Sequence, residues 1–397
     1  MARYRITVLP GDGTGREVIR EALRLLRSIE ASSSLEFDMT EIPCGGQHWQ
    51  ETGEEWPAGS FEQCRDASDA ILLGAIGWPA ANLPNGDLAG GEVILGLRSG
   101  LDLYANIRPI KLYPGVRHKV HGEFRTVWKA GSVDMVIVRE NTEGLYHSLL
   151  SRSAHKARGE EWPGLPEANF PGLDGEVEWD PRPISRDGSE RVIRFAFELA
   201  MQRDGNPQDG TRRVTCVDKS NVMRGCQLFR RVFEETAEQY PDIDEDTAFV
   251  DAFTMWLIRS PEWFDVCVTP NMFGDITTDL ASVLQGGMGM AASANIGDHH
   301  MLFEPVHGSA PKHAGKDRVN PIATLSSVQM MLEWLGHRHS DSEATSIAAV
   351  VDQAIGAHLL AGDVLTYDLG GDSSCSAVGM AITERVSALL QERRAHA

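Results

Sequence analysis

Strand, turn and helix follow one another within the first thirty residues, and this order constrains the chain more than any other feature it has. Tyr4 to Leu9 is β-rich, Pro10-Gly-Asp-Gly-Thr-Gly15 is a turn, and Val18, Ile19, Ala22, Leu25, Leu26 and Ile29 recur at helical spacing. Thr14 and Glu17 have the spacing of a capping box at the helix start. A second unit follows, in which Ala70-Ile-Leu-Leu73 reads as a buried strand that breaks at Gly74-Ala-Ile76-Gly77. Alternation resumes with a helix from Arg191 to Gln202, a strand from Val214 to Val217, a helix from Val222 to Tyr240 and a strand from Phe264 to Thr269. Strands alternating with helices predict an α/β sheet with a ligand crevice at the strand ends. With 397 residues the chain is longer than a single core usually supports, so two domains are expected.

The stretch from Ser151 to Gly188 breaks the pattern. It is rich in Pro, Gly and acids, carries Trp162, Phe170 and Trp179 as anchors, and is too long for an ordinary loop, which predicts an arm or insertion with a partner to touch. Acids outnumber bases 57 to 37, a formal charge of −20 that points away from nucleic acid, so an anionic ligand must be met by a local basic pocket or a metal. The N-terminus has no long apolar h-region, and no run reads as apolar enough for a membrane span. Six cysteines at 44, 64, 216, 226, 267 and 375 show no CxxC pairing, the pattern of reduced thiols in a cytoplasmic protein.

Three groups of residues carry chemistry. Asp275 and Asp279, in Asn271-Met-Phe-Gly-Asp-Ile-Thr-Thr-Asp279, are four apart at the start of an apolar-periodic helix, so both point to one side. Alone, such a pair is ordinarily a solvated edge. Asp251 shifts the balance as a lone acid inside an apolar strand-to-helix segment, where burial would require a partner or a metal. Three aspartates without His or Cys suit a hard cation, Mg2+ or Mn2+. Arg98, Arg108 and Arg139 form the second group. Arg108 and Arg139 each end an apolar run, where a carboxylate clamp is more natural than a surface ion pair, so a small polycarboxylate is the expected ligand. Lys219, at a strand end, and Tyr146, after the Arg139 strand, could move protons. The loop Phe303-Glu304-Pro-Val-His307-Gly308-Ser309-Ala310-Pro-Lys312-His313 suits a nucleotide, but neither it nor Gly11-Asp-Gly-Thr-Gly15 has GxGxxG spacing.

On these residues the chain resembles the β-hydroxyacid oxidative decarboxylases, the isocitrate, 3-isopropylmalate, homoisocitrate and tartrate/D-malate dehydrogenases. The likeness runs from Leu9-Pro-Gly-Asp-Gly-Thr-Gly15 to Thr366-Tyr-Asp-Leu-Gly-Gly371, and Asn271-Met-Phe-Gly-Asp-Ile-Thr-Thr-Asp279-Leu-Ala matches the family signature. It implies an α/β fold of isopropylmalate dehydrogenase type, with mixed sheets flanked by helices and a non-Rossmann dinucleotide site. Residues 1–103 and 286–397 would form the cofactor-binding domain. Residues 104–285 would form a dimerisation, substrate and metal domain, with an intersubunit arm near 151–188. The resemblance makes Arg98, Arg108 and Arg139 the holders of substrate carboxylates and Tyr146 the acid that protonates the enol. Lys219 and Asn221 would reach the partner's site, where Lys219 helps remove the hydroxyl proton, and Asp251 would cross to a metal held by Asp275 and Asp279. A homodimer is then required for activity.

Gly74, Ile76, Glu304, His307, Gly308, Ser309, Ala310, Lys312, His313, Val319, Asn320 and Tyr367 are the expected cofactor residues. NAD-using relatives tend to carry an acid where this chain has Lys312. With Val319 and Tyr367 this favours NADP, while Gly371 in place of an expected arginine leaves NAD tolerated. Before Arg98, isocitrate enzymes place Ser and Asn, whereas here stand Glu92, Ile94 and Leu95. Ile94 and Leu95 resemble the apolar pocket of isopropylmalate and tartrate/malate enzymes, so a 3-isopropylmalate-like substrate is expected first, tartrate or D-malate next, and isocitrate or homoisocitrate last. Two other classes compete: a non-catalytic ligand-binding relative, which would have lost Lys219, Tyr146 or an aspartate, and a metal-dependent hydrolase or aldolase, which would ignore nicotinamide cofactors.

Overall fold

The computed structural model describes residues 2–84, 86–157, 159–165, 172 and 175–396; Phe170, one of the expected anchors, lies outside them. The strands are β1 (Arg3–Gly11), β2 (Glu36–Glu41), β3 (Ala70–Ala75), β4 (Ala105–Lys111), β5 (His118–Val120), β6 (Glu123–Arg125), β7 (Asp134–Glu140), β8 (Arg213–Asp218), β9 (Asp244–Phe249), β10 (Val266–Thr269), β11 (Ala292–Ile296) and β12 (Met301–Pro305). The α-helices are α1 (Thr14–Ser32), α2 (Gly46–Thr52), α3 (Ser60–Asp66), α4 (Gly91–Gly100), α5 (His147–Ala157), α6 (Arg186–Gln202), α7 (Arg224–Ala237), α8 (Val250–Arg259), α9 (Asn271–Ser282), α10 (Ile322–His339), α11 (Ser342–Ala361) and α12 (Cys375–His396).

One mixed sheet of ten strands runs in the order β2-β1-β3-β12-β11-β4-β7-β10-β8-β9, and β5 with β6 forms a separate hairpin. The first four strands are parallel to one another, as are the last four. Between the two blocks, β11 runs antiparallel to β12 and to β4, and β4 antiparallel to β7. Parallel strands covered on both faces must be apolar throughout, and every residue of β3 and of β10 is buried. Side chains alternate between the faces. Val8, Leu72 and Phe303 join the large core under α1, α10 and α12, whereas Leu9, Ile71, Leu73 and Leu302 meet Val93 and Leu97 of α4 and Cys64 of α3 on the other side. Each such burial contributes roughly 1.5 to 3 kcal/mol.

The structure corrects several expectations. Thr14 and Glu17 form no capping box: Gly13 is the N-cap, Thr14 donates its hydroxyl to the Ser309 carbonyl (3.0 Å), and Glu17 accepts the Gly315 N–H (2.5 Å). Tertiary partners have taken both side chains. Arg108 does not end its strand, because β4 continues to Lys111. The helix expected over Val222 to Tyr240 is Arg224–Ala237. Among the described residues one helix, α11, is long and apolar enough by length and composition to cross a membrane, contrary to the expectation that no run would be. Ile347, Val350, Val351, Ile355 and Leu359 of α11 are nevertheless buried in the core, which accounts for that apolarity by packing. In the 151–188 stretch, α5 occupies the first residues and packs against α4, where Lys156 pairs with Glu92 (3.4 Å) and Arg152 pairs with Asp87.

Candidate functional site

The central antiparallel strands bring the basic and acidic groups together. Arg139, next to the end of β7, is ion-paired with Asp275 on α9, and its Nε and Nη2 donate to Asn271 Oδ1 (3.0 and 2.7 Å). That closeness depends on Gly274, where a Cβ would stand 2.6 Å from the Arg139 Cβ. From β4, Arg108 reaches Asp275 (3.3 Å) and Asp279 (3.8 Å) and donates to the Thr278 hydroxyl. Tyr146 ends a short 3-10 turn, Gly144–Tyr146; its hydroxyl donates to Asp275 Oδ2 (3.0 Å), and its ring lies 5.7 Å from the Arg139 guanidinium.

The electrostatics divide the two aspartates. Burial pushes the Asp275 carboxyl up, but Arg139 and Arg108 outweigh it and hold the group below its ordinary range. Burial, reinforced by Asp275, raises Asp279 against the pull of Arg108. Burial and the repulsion of Arg108 push Arg139 down to about 9. Tyr146 is raised by burial and by the Asp275 charge. The two buried guanidiniums share the Asp275 carboxylate, and guanidinium is the side-chain group that grips a carboxylate with two parallel N–H donors. Asp279, its side chain 61% exposed, leaves an oxygen face open beside Asp275 for a hard cation.

Beside this cluster lies a cleft of about 310 Å3, lined among others by Gly74, Ile76, Ile94, Arg98, Arg108, Glu304, His307 and Gly308. Arg98 donates to Glu304 (2.9 Å), while its buried Nε–H has no partner among the described residues. The His307 Nε2 is likewise buried without a partner, and burial lowers the pKa of the ring. Orphaned polar atoms on a cleft wall fit a ligand with complementary groups. Further along the loop, Ser309 accepts the Thr14 N–H (2.9 Å) at its carbonyl and donates its hydroxyl to the Gly77 carbonyl. Ala310 takes a left-handed backbone. His313 stacks on Tyr367 at 5.4 Å, Arg318 lies over the same tyrosine ring at 4.6 Å, and Lys312 is exposed. Val319 is buried against Val18 and Cys375, and Asn320 donates to Asp368 (3.1 Å).

Lys219, Asn221 and Asp251 form a separate group. Asp251 is not buried, contrary to expectation: it lies in the first turn of α8 with its side chain 67% exposed, paired to Lys219 at 2.8 Å. That pairing lowers its pKa. Asn221 is also exposed. Among the described residues no three of His, Cys, Asp and Glu gather as a metal-holding group, so the expected triad is not assembled within one chain. Around Asp251, along α9 and just past its end, Phe249, Met255, Trp256, Ile258, Ile276 and Val283 are exposed apolar residues.

Sequence reasoning missed Asn271, Thr278, Asn106 and Asn295, which hold the arginines or link them. Asparagine within the strand-like runs Ala105-Asn-Ile107 and Ala294-Asn-Ile296 was the available signal, because a buried amide needs partners.

The pattern of the isocitrate/isopropylmalate dehydrogenase family matches residues 5–382. The 3-isopropylmalate dehydrogenase of Frankia casuarinae is 39% identical over 381 residues, 94% of this chain and 100% of that protein. The 3-isopropylmalate/3-methylmalate dehydrogenase of Methanocaldococcus jannaschii is 38% identical, over 96% of this chain and 99% of its own. Among solved structures, the isocitrate dehydrogenase of Methylococcus capsulatus superposes with a TM-score of 0.78 at 32% identity, covering 97% of this chain and 99% of that one. A β-decarboxylating dehydrogenase from Thermococcus kodakarensis gives 0.72 at 35% identity, covering 98% and 97%. The fold and the relatives are those of a decarboxylating dehydrogenase. The chain belongs to the isocitrate/isopropylmalate dehydrogenase family.

Proposed function

We propose that the protein catalyses oxidative decarboxylation of a malate bearing an apolar substituent at C3, with 3-isopropylmalate as its substrate. The observation that carries this reading is the convergence of Arg108, Arg139 and Tyr146 on Asp275 beside a cleft walled by Arg98 and Ile94. Guanidiniums grip carboxylates; Ile94, with Leu95 next to it on α4, offers an apolar wall to the substituent. Two relatives named for 3-isopropylmalate, at 39% and 38% identity, support the same substrate.

In this reading Arg98, Arg108 and Arg139 hold the two carboxylates, and Asp275 and Asp279, with the partner's Asp251, hold Mg2+ or Mn2+. When bound, the cation supplies charge stabilisation for the oxyanion that develops, and the nicotinamide cofactor supplies a hydride acceptor. Lys219, flanked by Asn221 and coming from the partner subunit, takes the hydroxyl proton. After CO2 departs, Tyr146 returns a proton to carbon from its hydroxyl. A homodimer with shared sites is supported by the exposed apolar side chains around Asp251 and by an acidic set that stays incomplete in one chain. NADP is the preferred cofactor with NAD tolerated: Arg318 lies over the Tyr367 ring on which His313 stacks, and the exposed Lys312 precedes His313 in sequence, so this loop offers two cations to a 2′-phosphate. The cofactor unit comprises residues 1–103 and 286–397, the substrate unit residues 104–285. Six free, buried cysteines agree with a cytoplasmic enzyme.

The test is a panel of 3-isopropylmalate, D-malate, tartrate, isocitrate and homoisocitrate, each with NADP or NAD and with Mg2+ or Mn2+, followed by reduced-cofactor absorbance. Turnover highest on 3-isopropylmalate and abolished by chelator is the expected result. Silence across the panel refutes the reading.

A further inference from the structure

A chain of side-chain hydrogen bonds joins Arg108 on β4 to Arg98 on α4 across three strands. Arg108 donates Nε–H to Asn106 Oδ1 (2.9 Å), Asn106 donates from Nδ2 to Asn295 Oδ1 (2.9 Å), and Asn295 donates from Nδ2 to Glu304 Oε1 (2.8 Å). The same carboxylate oxygen accepts from Arg98 Nη2 (2.9 Å). The strand register makes this possible, since Asn106 stands opposite Asn295 on β4 and β11, and Ser293 stands opposite Glu304 on β11 and β12. Ser293 and Asn141 brace the chain from its sides, Asn106 donating to the Ser293 hydroxyl (2.8 Å) and Asn141 donating to Asn295 Oδ1 (3.0 Å).

Direction is built into this chain. A guanidinium only donates and a carboxylate only accepts, so each amide is fixed in orientation by its neighbour, and flipping either one would set like groups face to face. Asn106 and Asn295 are wholly buried. Such positions in a sheet are ordinarily filled by β-branched or aromatic residues, and buried amides are tolerated only when fully bonded. Without them the two arginines would lose their common link. Arg98 also keeps its buried Nε–H unpartnered among the described residues, on a side chain that lines the cleft.

We propose that Asn106 and Asn295 are positioning residues that lock Arg98 and Arg108 into one fixed pair of carboxylate grips. The inference rests on the reading of those arginines as carboxylate holders. Within the proposed division into units, β11, β12 and α4 belong to the cofactor side and β4 to the substrate side, so the amide chain also ties the two sides together at the reacting centre. Aligned hydrogen bonds in a low-dielectric interior reinforce one another, and breaking one link uncouples the two arginines, leaving each with only its own carboxylate partner.

The experiment is steady-state kinetics on the whole enzyme, with whichever member of the panel turns over, for Asn295→Ala and Asn295→Ser, with melting curves recorded alongside. A serine hydroxyl can accept from Asn106 and donate to Glu304, so it preserves the direction of the chain. Asn295→Ala is expected to raise KM for the hydroxyacid roughly tenfold or more while KM for the nicotinamide cofactor stays within about twofold, and Asn295→Ser to recover most of that loss. A folded Asn295→Ala enzyme with unchanged hydroxyacid KM overturns the proposal, whatever its melting temperature. If Asn295→Ala does not fold, Asn106→Asp, which still accepts from Arg108 but cannot donate to Asn295, is read by the same criteria. Arg108→Ala separates the two claims. If it leaves the hydroxyacid KM unchanged, the arginine reading itself has failed; if it raises KM and the asparagine variants do not, only the positioning role has.

Discussion

Adding a single methyl group at Gly274 should damage the reacting centre far more than the fold. The glycine lies inside α9, between Phe273 and Asp275, and an added Cβ would stand 2.6 Å from the Arg139 Cβ, 2.7 Å from its Cγ and 2.9 Å from the Thr269 Cγ2. Ordinary contact begins near 3.4 Å, so α9 and Arg139 must separate by about 0.8 Å. In stability the effects oppose: Ala is better than Gly in a helix by about 1 kcal/mol, while overpacking costs about 1 to 3 kcal/mol, leaving a net loss of at most roughly 2 kcal/mol. The guanidinium that binds both Asn271 and Asp275 has no such offset. Misplacement of a substrate-holding group by nearly an ångström costs on the order of a hundredfold in rate. Gly274→Ala should therefore melt within a few degrees of the parent and lose about a hundredfold in kcat/KM, measured by calorimetry and initial rates. A variant with kcat/KM within about threefold of the parent would refute the claim that the α9–β7 approach sets the site.

Three further outcomes follow from the same structure. Asp279→Asn removes half of the carboxylate pair and should raise the Mg2+ or Mn2+ concentration for half-maximal rate by roughly tenfold or more, since affinity follows ligand charge; an unchanged metal titration would count against the assignment. Lys312→Asp combined with Arg318→Gln should cut kcat/KM for NADP by about tenfold or more while leaving NAD at least as good, because each charge-assisted bond contributes about 1.5 to 3 kcal/mol; a parallel loss with both cofactors would show that these cations do not read the 2′-phosphate. Burial, and after it the Arg385 charge, holds the His358 imidazole below its ordinary 6.5. The unfolded chain binds that proton more readily, so the stability from the neutral ring is complete above pH 6.5 and is lost as the pH falls. His358→Gln should therefore show a smaller drop in melting temperature between about pH 8 and pH 5.5 than the parent, and an identical drop would contradict the assignment.

Much of the fold was legible because parallel strands covered on both faces must be apolar end to end, and Ala70-Ile-Leu-Leu73 and Phe264 to Thr269 announce themselves that way. The carboxylate pair was legible because helical spacing alone puts Asp275 and Asp279 on one side of α9. What escaped depends on partners far away in sequence. Glu304 meets Arg98 across 206 positions and Asn106 meets Asn295 across 189, and no local pattern encodes either pairing. Thr14 and Glu17 had the right spacing for a cap, but Ser309 and Gly315 offered them tertiary partners instead. Asp251 was misjudged for a related reason. Apolar neighbours were taken to mean burial, yet Phe249, Met255 and Trp256 are themselves exposed, a pattern that a second copy of the chain would explain.

The central claim, a decarboxylating dehydrogenase whose Asp275–Asp279 site is completed by the partner's Asp251, is tested most directly by mixing two inactive variants. Asp251→Asn and Asp275→Asn subunits are unfolded together, refolded and assayed on the active substrate. In a shared-site homodimer half of the refolded dimers are mixed, and each mixed dimer holds one intact site and one doubly altered site, so about a quarter of parental activity should return. Activity no higher than that of either variant alone would show that each chain assembles its site by itself, and would contradict the account.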